Sequence, residues 1–66
     1  MGNSVEPVRI DDVVCIRQTA KAILVVIEDV ERWIPQSAIH DDSEVWQDGD
    51  KGELVVAGWF AEKVGL

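Results

Sequence analysis

The 66-residue chain is poor in several things at once: one cysteine, two prolines, one phenylalanine, one histidine, no tyrosine, and six basic residues against thirteen acidic ones. Each scarcity excludes something. With Cys15 alone there is neither an internal disulfide nor a cysteine-based zinc site. Cys15 sits in VVCIR among apolar neighbours, so it is expected as a small buried hydrophobe, and an unpaired thiol suits a reducing cytoplasm. The few bases, Arg9, Arg17, Lys21, Arg32, Lys51 and Lys63, are scattered, and the formal net charge is −7. Nucleic-acid binders gain most of their affinity by neutralising phosphates, so direct DNA or RNA binding is disfavoured. No apolar run approaches membrane-spanning length. The start, MGNSVEPVRI, lacks the basic region and apolar stretch of a secretory signal, and Glu6 stands where an acylation motif wants Ser or Thr. There is no phosphate-binding loop, and no cofactor is expected.

What is present is apolar residue in quantity, 47% of the chain. A domain this short buries only about 60% of its unfolded surface, so the core must be dense. Residues 1–7 read as a loose arm ending at Pro7, and 8–66 as one domain. Val8, Ile10, Val14 and Ile16 share one parity, as in a half-buried strand. RQTAKA interrupts it with a turn over residues 18–21. AILVVI (Ala22–Ile27) is apolar at both parities and β-branched, which suits a central strand covered on both faces. EDVE (Glu28–Glu31) reads as a second turn, RWI as a short strand ended by Pro35, and Ser37 as the cap of a single helical turn. EVW (Glu44–Trp46) reads as a fourth strand, joined through the DGDKG turn to ELVVA. In GWFAEKVGL the period changes, and Trp59, Phe60 and Val64 form the face of a terminal helix closed by Gly65. The expected fold is mostly β: about five antiparallel strands, curled into a small barrel that hides its edges, with a short C-terminal helix.

WIPQSAI resembles the strand, single 3₁₀ turn and strand of Src-homology-3 domains, on Trp33, Ile34, Pro35 and Ile39. The resemblance implies an SH3-like barrel. Proline-peptide binding is not carried over, because a hairpin and a helix follow where such a domain ends and the tyrosine-free chain lacks an aromatic-rich groove. A longer stretch, WIPQSAIHDDSEVW and then WFAEKVGL, resembles small proteins of phages and other bacterial mobile elements. It rests on Trp33, Ile34, Pro35, Ser37, Ile39, Trp46, Trp59, Ala61, Glu62, Gly65 and Leu66. That resemblance implies a stand-alone protein of mobile-element origin in a bacterial cytoplasm, and no chemistry.

Ser37, His40 and Asp41 invite comparison with a catalytic triad, but they fall within five positions and a chain this small offers little pocket to exclude water. The carboxylates around DGDKG miss the calcium-loop spacing by one glycine position. No catalysis is expected. Of the three tryptophans, two are expected in the core and one, Trp46, partly exposed beside the acidic turn as an interface anchor. Asp41, Asp42, Glu44, Trp46, Asp48 and Asp50 are therefore the candidate partner-binding residues. One function class is an interaction protein whose acidic face docks on a basic, nucleic-acid-handling host protein, as an inhibitor of host defence. The alternative is an accessory of phage DNA metabolism that binds nucleic acid or a small nucleotide. A small core also gains from a second copy, so a homodimer is a further expectation.

Overall fold

The computed structural model describes residues 6–66. Most of the expected arm, residues 1–5, lies outside the described residues. The first strand, β1 (Val8–Gln18), shows the expected alternation only at its start. Val8 and Ile10 pack against the core, but further on Val13 and Cys15 are buried, while Val14 is only half-buried and Ile16 is exposed. The parity read from the sequence fails after Ile10. Between Ile10 and Val13 the pairing with the last strand slips by one residue, and Asp12 adopts φ 59. Such a bulge moves every later side chain to the opposite face. A second slip between Cys15 and Arg17 leaves Ile16 unpaired and outward.

After a turn in which the Thr19 hydroxyl accepts the Ala22 N–H at 3.0 Å, β2 (Ala22–Ile27) runs between two neighbours. Ile23, Val25 and Ile27 enter the core and Leu24 is buried on the other face, so β2 is apolar at both parities. The next turn is tighter than EDVE suggested. Only Glu28 (φ 52) and Asp29 (φ 68) form it, and β3 (Val30–Pro35) restarts at once. Two consecutive positive φ values are the geometry Asn-Gly favours, and each non-glycine residue held there costs on the order of 1 kcal/mol. Glu28→Asn combined with Asp29→Gly is expected to raise stability by about 1–2 kcal/mol, read as a thermal midpoint higher by roughly 4–8 °C per kcal/mol. An unchanged or lower midpoint would show that the turn is unstrained.

Pro35 precedes the 3₁₀ turn Gln36–Ala38 as its N-cap, and no side chain caps that turn; Ser37 lies inside it rather than capping it. Ile39 then bridges Val56, and the His40 N–H donates to the Val55 carbonyl at 2.8 Å. The expected strand at Glu44–Trp46 does not form, because side chains take the backbone groups a ladder would use. The Ser43 hydroxyl accepts the Val45 N–H (3.2 Å), Glu44 Oε1 accepts the Glu53 N–H (2.9 Å), and Asp50 Oδ2 accepts those of Trp46 (2.9 Å) and Gln47 (3.1 Å). The fourth strand is instead β4 (Lys51–Val56). The sheet is antiparallel and open, in the order β3-β2-β1-β4, with four strands where five were expected.

Helix α1 (Gly58–Val64) follows β4 and ends on Gly65 at φ 79, as its glycine suggested. Its buried face carries Phe60 and Ala61, with Val64 packed beside them, whereas Trp59 points outward. Among the described residues no helix is long and apolar enough to cross a membrane.

Cys15 is 1% exposed within this core. Burial pushes its thiol pKa above the ordinary 9.0; a hydrogen bond with the Arg17 backbone opposes the shift, and the Asp48 and Asp50 charges add to it. A raised pKa means the folded state holds the proton more tightly. The contribution is therefore complete below the ordinary thiol pKa and is lost as pH rises through the raised value. A thiol reagent at neutral pH is expected to label the native protein only as fast as it unfolds, and immediately in denaturant. Rapid native labelling would place Cys15 at the surface.

Candidate interaction surfaces

The six residues singled out from the sequence have different roles in the structure. Asp41 and Asp48 are exposed. Asp42 is exposed but ion-paired: Arg9 reaches it at 3.3 Å and Glu53 at 3.0 Å, tying the segment to β1 and β4. Both pairs lie in solvent, and such pairs are worth well under about 1 kcal/mol each. Glu44 and Asp50 hold backbone N–H groups, as described above, and Glu44 can do so because position 52 has no side chain. A Cβ built on Gly52 would stand 2.6 Å from Glu44 Oε1. The segment is thus a rigid frame that displays Asp41, Asp42 and Asp48 outward.

Ser37, His40 and Asp41 show no triad contacts. His40 Nδ1 accepts the Asp42 N–H at 3.1 Å, and among the described residues no hydrogen bond links Ser37 to His40. No group of three or more metal-ligating side chains is assembled among the described residues.

The tryptophans reverse the expectation. Trp46 is half-buried, packs against the core, and donates its indole N–H to the Ser43 carbonyl at 2.8 Å. Trp33 and Trp59 are the exposed pair, at 51% and 54%. Trp33 is exposed because Ile34 points into the core and its neighbour in a strand must point out. Trp59 likewise sits about 100° around the helix from buried Phe60, touching it edge-on with centroids 5.9 Å apart.

Two further features escape sequence reasoning because they join distant parts of the chain. The pairing Val14↔Val26 sets the β1 bulge beside the β2–β3 turn, so Asp11, Asp12, Glu28 and Asp29 line one depression of about 590 Å³. The packing of α1 near β3 leaves a second depression, of about 200 Å³, lined by Arg32, Trp33, Ile34, Phe60 and Val64. There Arg32 Nη1 donates to the Val64 carbonyl at 3.4 Å, joining β3 to the helix end. Compared with protein-family models, curated proteins and solved structures, the chain matches none.

Proposed function

We propose that the protein is a non-enzymatic interaction module, of phage or mobile-element origin, whose acidic surface docks on a basic, nucleic-acid-handling protein in the bacterial cytoplasm and blocks it. One observation carries the reading: the acidic segment is pinned by its own side chains while Asp41, Asp42 and Asp48 stay exposed. A pre-ordered carboxylate array loses little entropy on docking and competes with phosphates for arginines and lysines. The surplus of carboxylates, thirteen against six bases, supports a protein partner over a nucleic acid. The resemblance of WIPQSAIHDDSEVW and WFAEKVGL to mobile-element proteins supports the setting. For the fold, we infer closure beyond the four-stranded sheet. Residues 38–40, bonded to Val55, Val56 and Ala57, serve as a fifth segment on the outer edge of β4, so the SH3-like barrel closes at the end of β3 while the edge of Val30–Pro35 itself stays outside that closure.

Affinity capture from host lysate, repeated with nuclease and with raised salt, tests the function. A stoichiometric protein that survives nuclease and is released by salt is the expected result. Capture that disappears with nuclease would favour the nucleic-acid accessory instead.

A further inference from the structure

We propose that the edge of β3, which no strand pairs among the described residues and which α1 walls, is a groove in which an extended, basic and apolar segment of a partner protein docks as an added strand. This rests on the protein being an interaction module for a basic partner, but it uses a different surface from the segment at residues 41–50.

The phase of the ladder decides which groups are open. The Gln36 N–H donates to the Lys21 carbonyl at 2.8 Å, and the pairing runs unbroken from Ala22↔Pro35 to Ile27↔Val30. In an antiparallel pair the bonded positions alternate, so residues 30, 32 and 34 turn their backbone groups to β2. Glu31 and Trp33 then turn both N–H and C=O outward, and Pro35, which has no N–H, offers only its carbonyl. Pro35 thus costs the sheet nothing and marks the end of the open edge.

Proteins usually protect such an edge with charged side chains (lysine above all), proline, a bulge or a covering loop, and of these β3 has Glu31, Arg32 and, at its end, Pro35. Here both bulges are in β1, VERWIP contains no lysine, and Val30 and Trp33 are about half exposed. The groove between edge and helix is lined by Arg32, Trp33 and Val64 over the almost wholly buried Ile34 and Phe60, with room for one aliphatic side chain. Trp33 forms part of its wall, and Trp59 touches Phe60 edge-on. Strand addition takes affinity from main-chain hydrogen bonds and specificity from such a pocket. The charge names the occupant: Glu28, Asp29 and Glu31 are all exposed at the start of the edge. They attract lysine or arginine, whereas a second copy would bring another −7.

The test is an amide-resolved NMR titration with an acetylated, amidated heptapeptide that alternates lysine with leucine or valine. Controls are the same peptide with glutamate for lysine, and the lysine peptide N-methylated along one backbone edge. The lysine peptide is expected to shift the Glu31 and Trp33 amides and slow their exchange, and neither control should do so. Glu28→Asn with Asp29→Gly should weaken binding several-fold without loss of stability. Glu31→Pro, which removes one outward N–H, should weaken it about tenfold; the N-methylated peptide asks the same question of the unaltered protein. Shifts confined to residues 41–48 would overturn the groove and leave the acidic-surface reading standing. Absence of binding at millimolar peptide would overturn the groove, while lysate capture would judge the acidic surface separately. Protection of Glu31 and Trp33 that rises with protein concentration alone, with a doubled sedimentation mass, would assign the edge to a second copy and overturn the proposal.

Discussion

Gly52→Ala is expected to lower stability by about 2–4 kcal/mol, and the thermal midpoint by roughly 10–20 °C. Two effects combine. Gly52 has φ +145, a conformation side chains rarely adopt, and no rearrangement of neighbours relieves that. The new methyl would also meet Glu44 Oε1 at 2.6 Å and displace the carboxylate that accepts the Glu53 N–H. Glu44→Ala alone should cost only about 0.5–1 kcal/mol, because that hydrogen bond is exposed and water replaces it. The double variant should therefore lose less than the sum of the two, with a coupling of about 0.5–1 kcal/mol. Chemical denaturation of the four proteins measures the cycle. Strict additivity would mean that Gly52 acts through backbone strain alone and that the carboxylate it shelters is irrelevant.

The second large effect concerns binding. Once a partner is captured, Asp41→Lys with Asp48→Lys should weaken the complex about a hundredfold or more, since close charge pairs across an interface couple by about 1.5 kcal/mol upward. The melting temperature should move by no more than about 4 °C, because both side chains are exposed and neither bonds a backbone group among the described residues. These two positions separate docking from folding. Glu44 and Asp50 cannot, since reversing either removes an acceptor from the frame. Unchanged binding, measured by calorimetry at moderate salt, would reduce the acidic run to a solvated face. The contact would then have to lie elsewhere, with the β3 edge the next place to look.

Much of the secondary structure was legible in short-range pattern. AILVVI announced an inner strand because its apolar residues occur at both parities, and GWFAEKVGL announced a helix because the period changes and a glycine closes it. Turns near residues 18–21 and 48–52 followed from polar, flexible residues. The rest was decided by pairing across the sheet. Val13 and Cys15 face the core, where Val14 and Ile16 were expected, because a bulge with Asp12 at φ 59 inserts one residue into the register. Alternation shows a period but not where it slips. EVW looked like a strand, yet the Ser43 hydroxyl and the Asp50 carboxylate take its Val45 and Trp46 N–H groups, while the Glu44 carboxylate takes the Glu53 N–H that approaches from β4 beside Gly52.

The acidic segment was legible as a candidate surface because Asp41, Asp42, Glu44, Asp48 and Asp50 cluster in one short stretch of the chain. Which of them are free was not, since Asp42 is paired by Arg9 from a distant strand. By itself the sequence determined a small acidic β-rich domain with one buried thiol and a terminal helix, because composition and local periodicity act within a few residues. Only the tertiary structure decided which tryptophans are exposed, which carboxylates are bonded, and that β3, among the described residues, is left as an open edge beside α1. Those are properties of register and strand order, set by contacts between residues far apart in the chain.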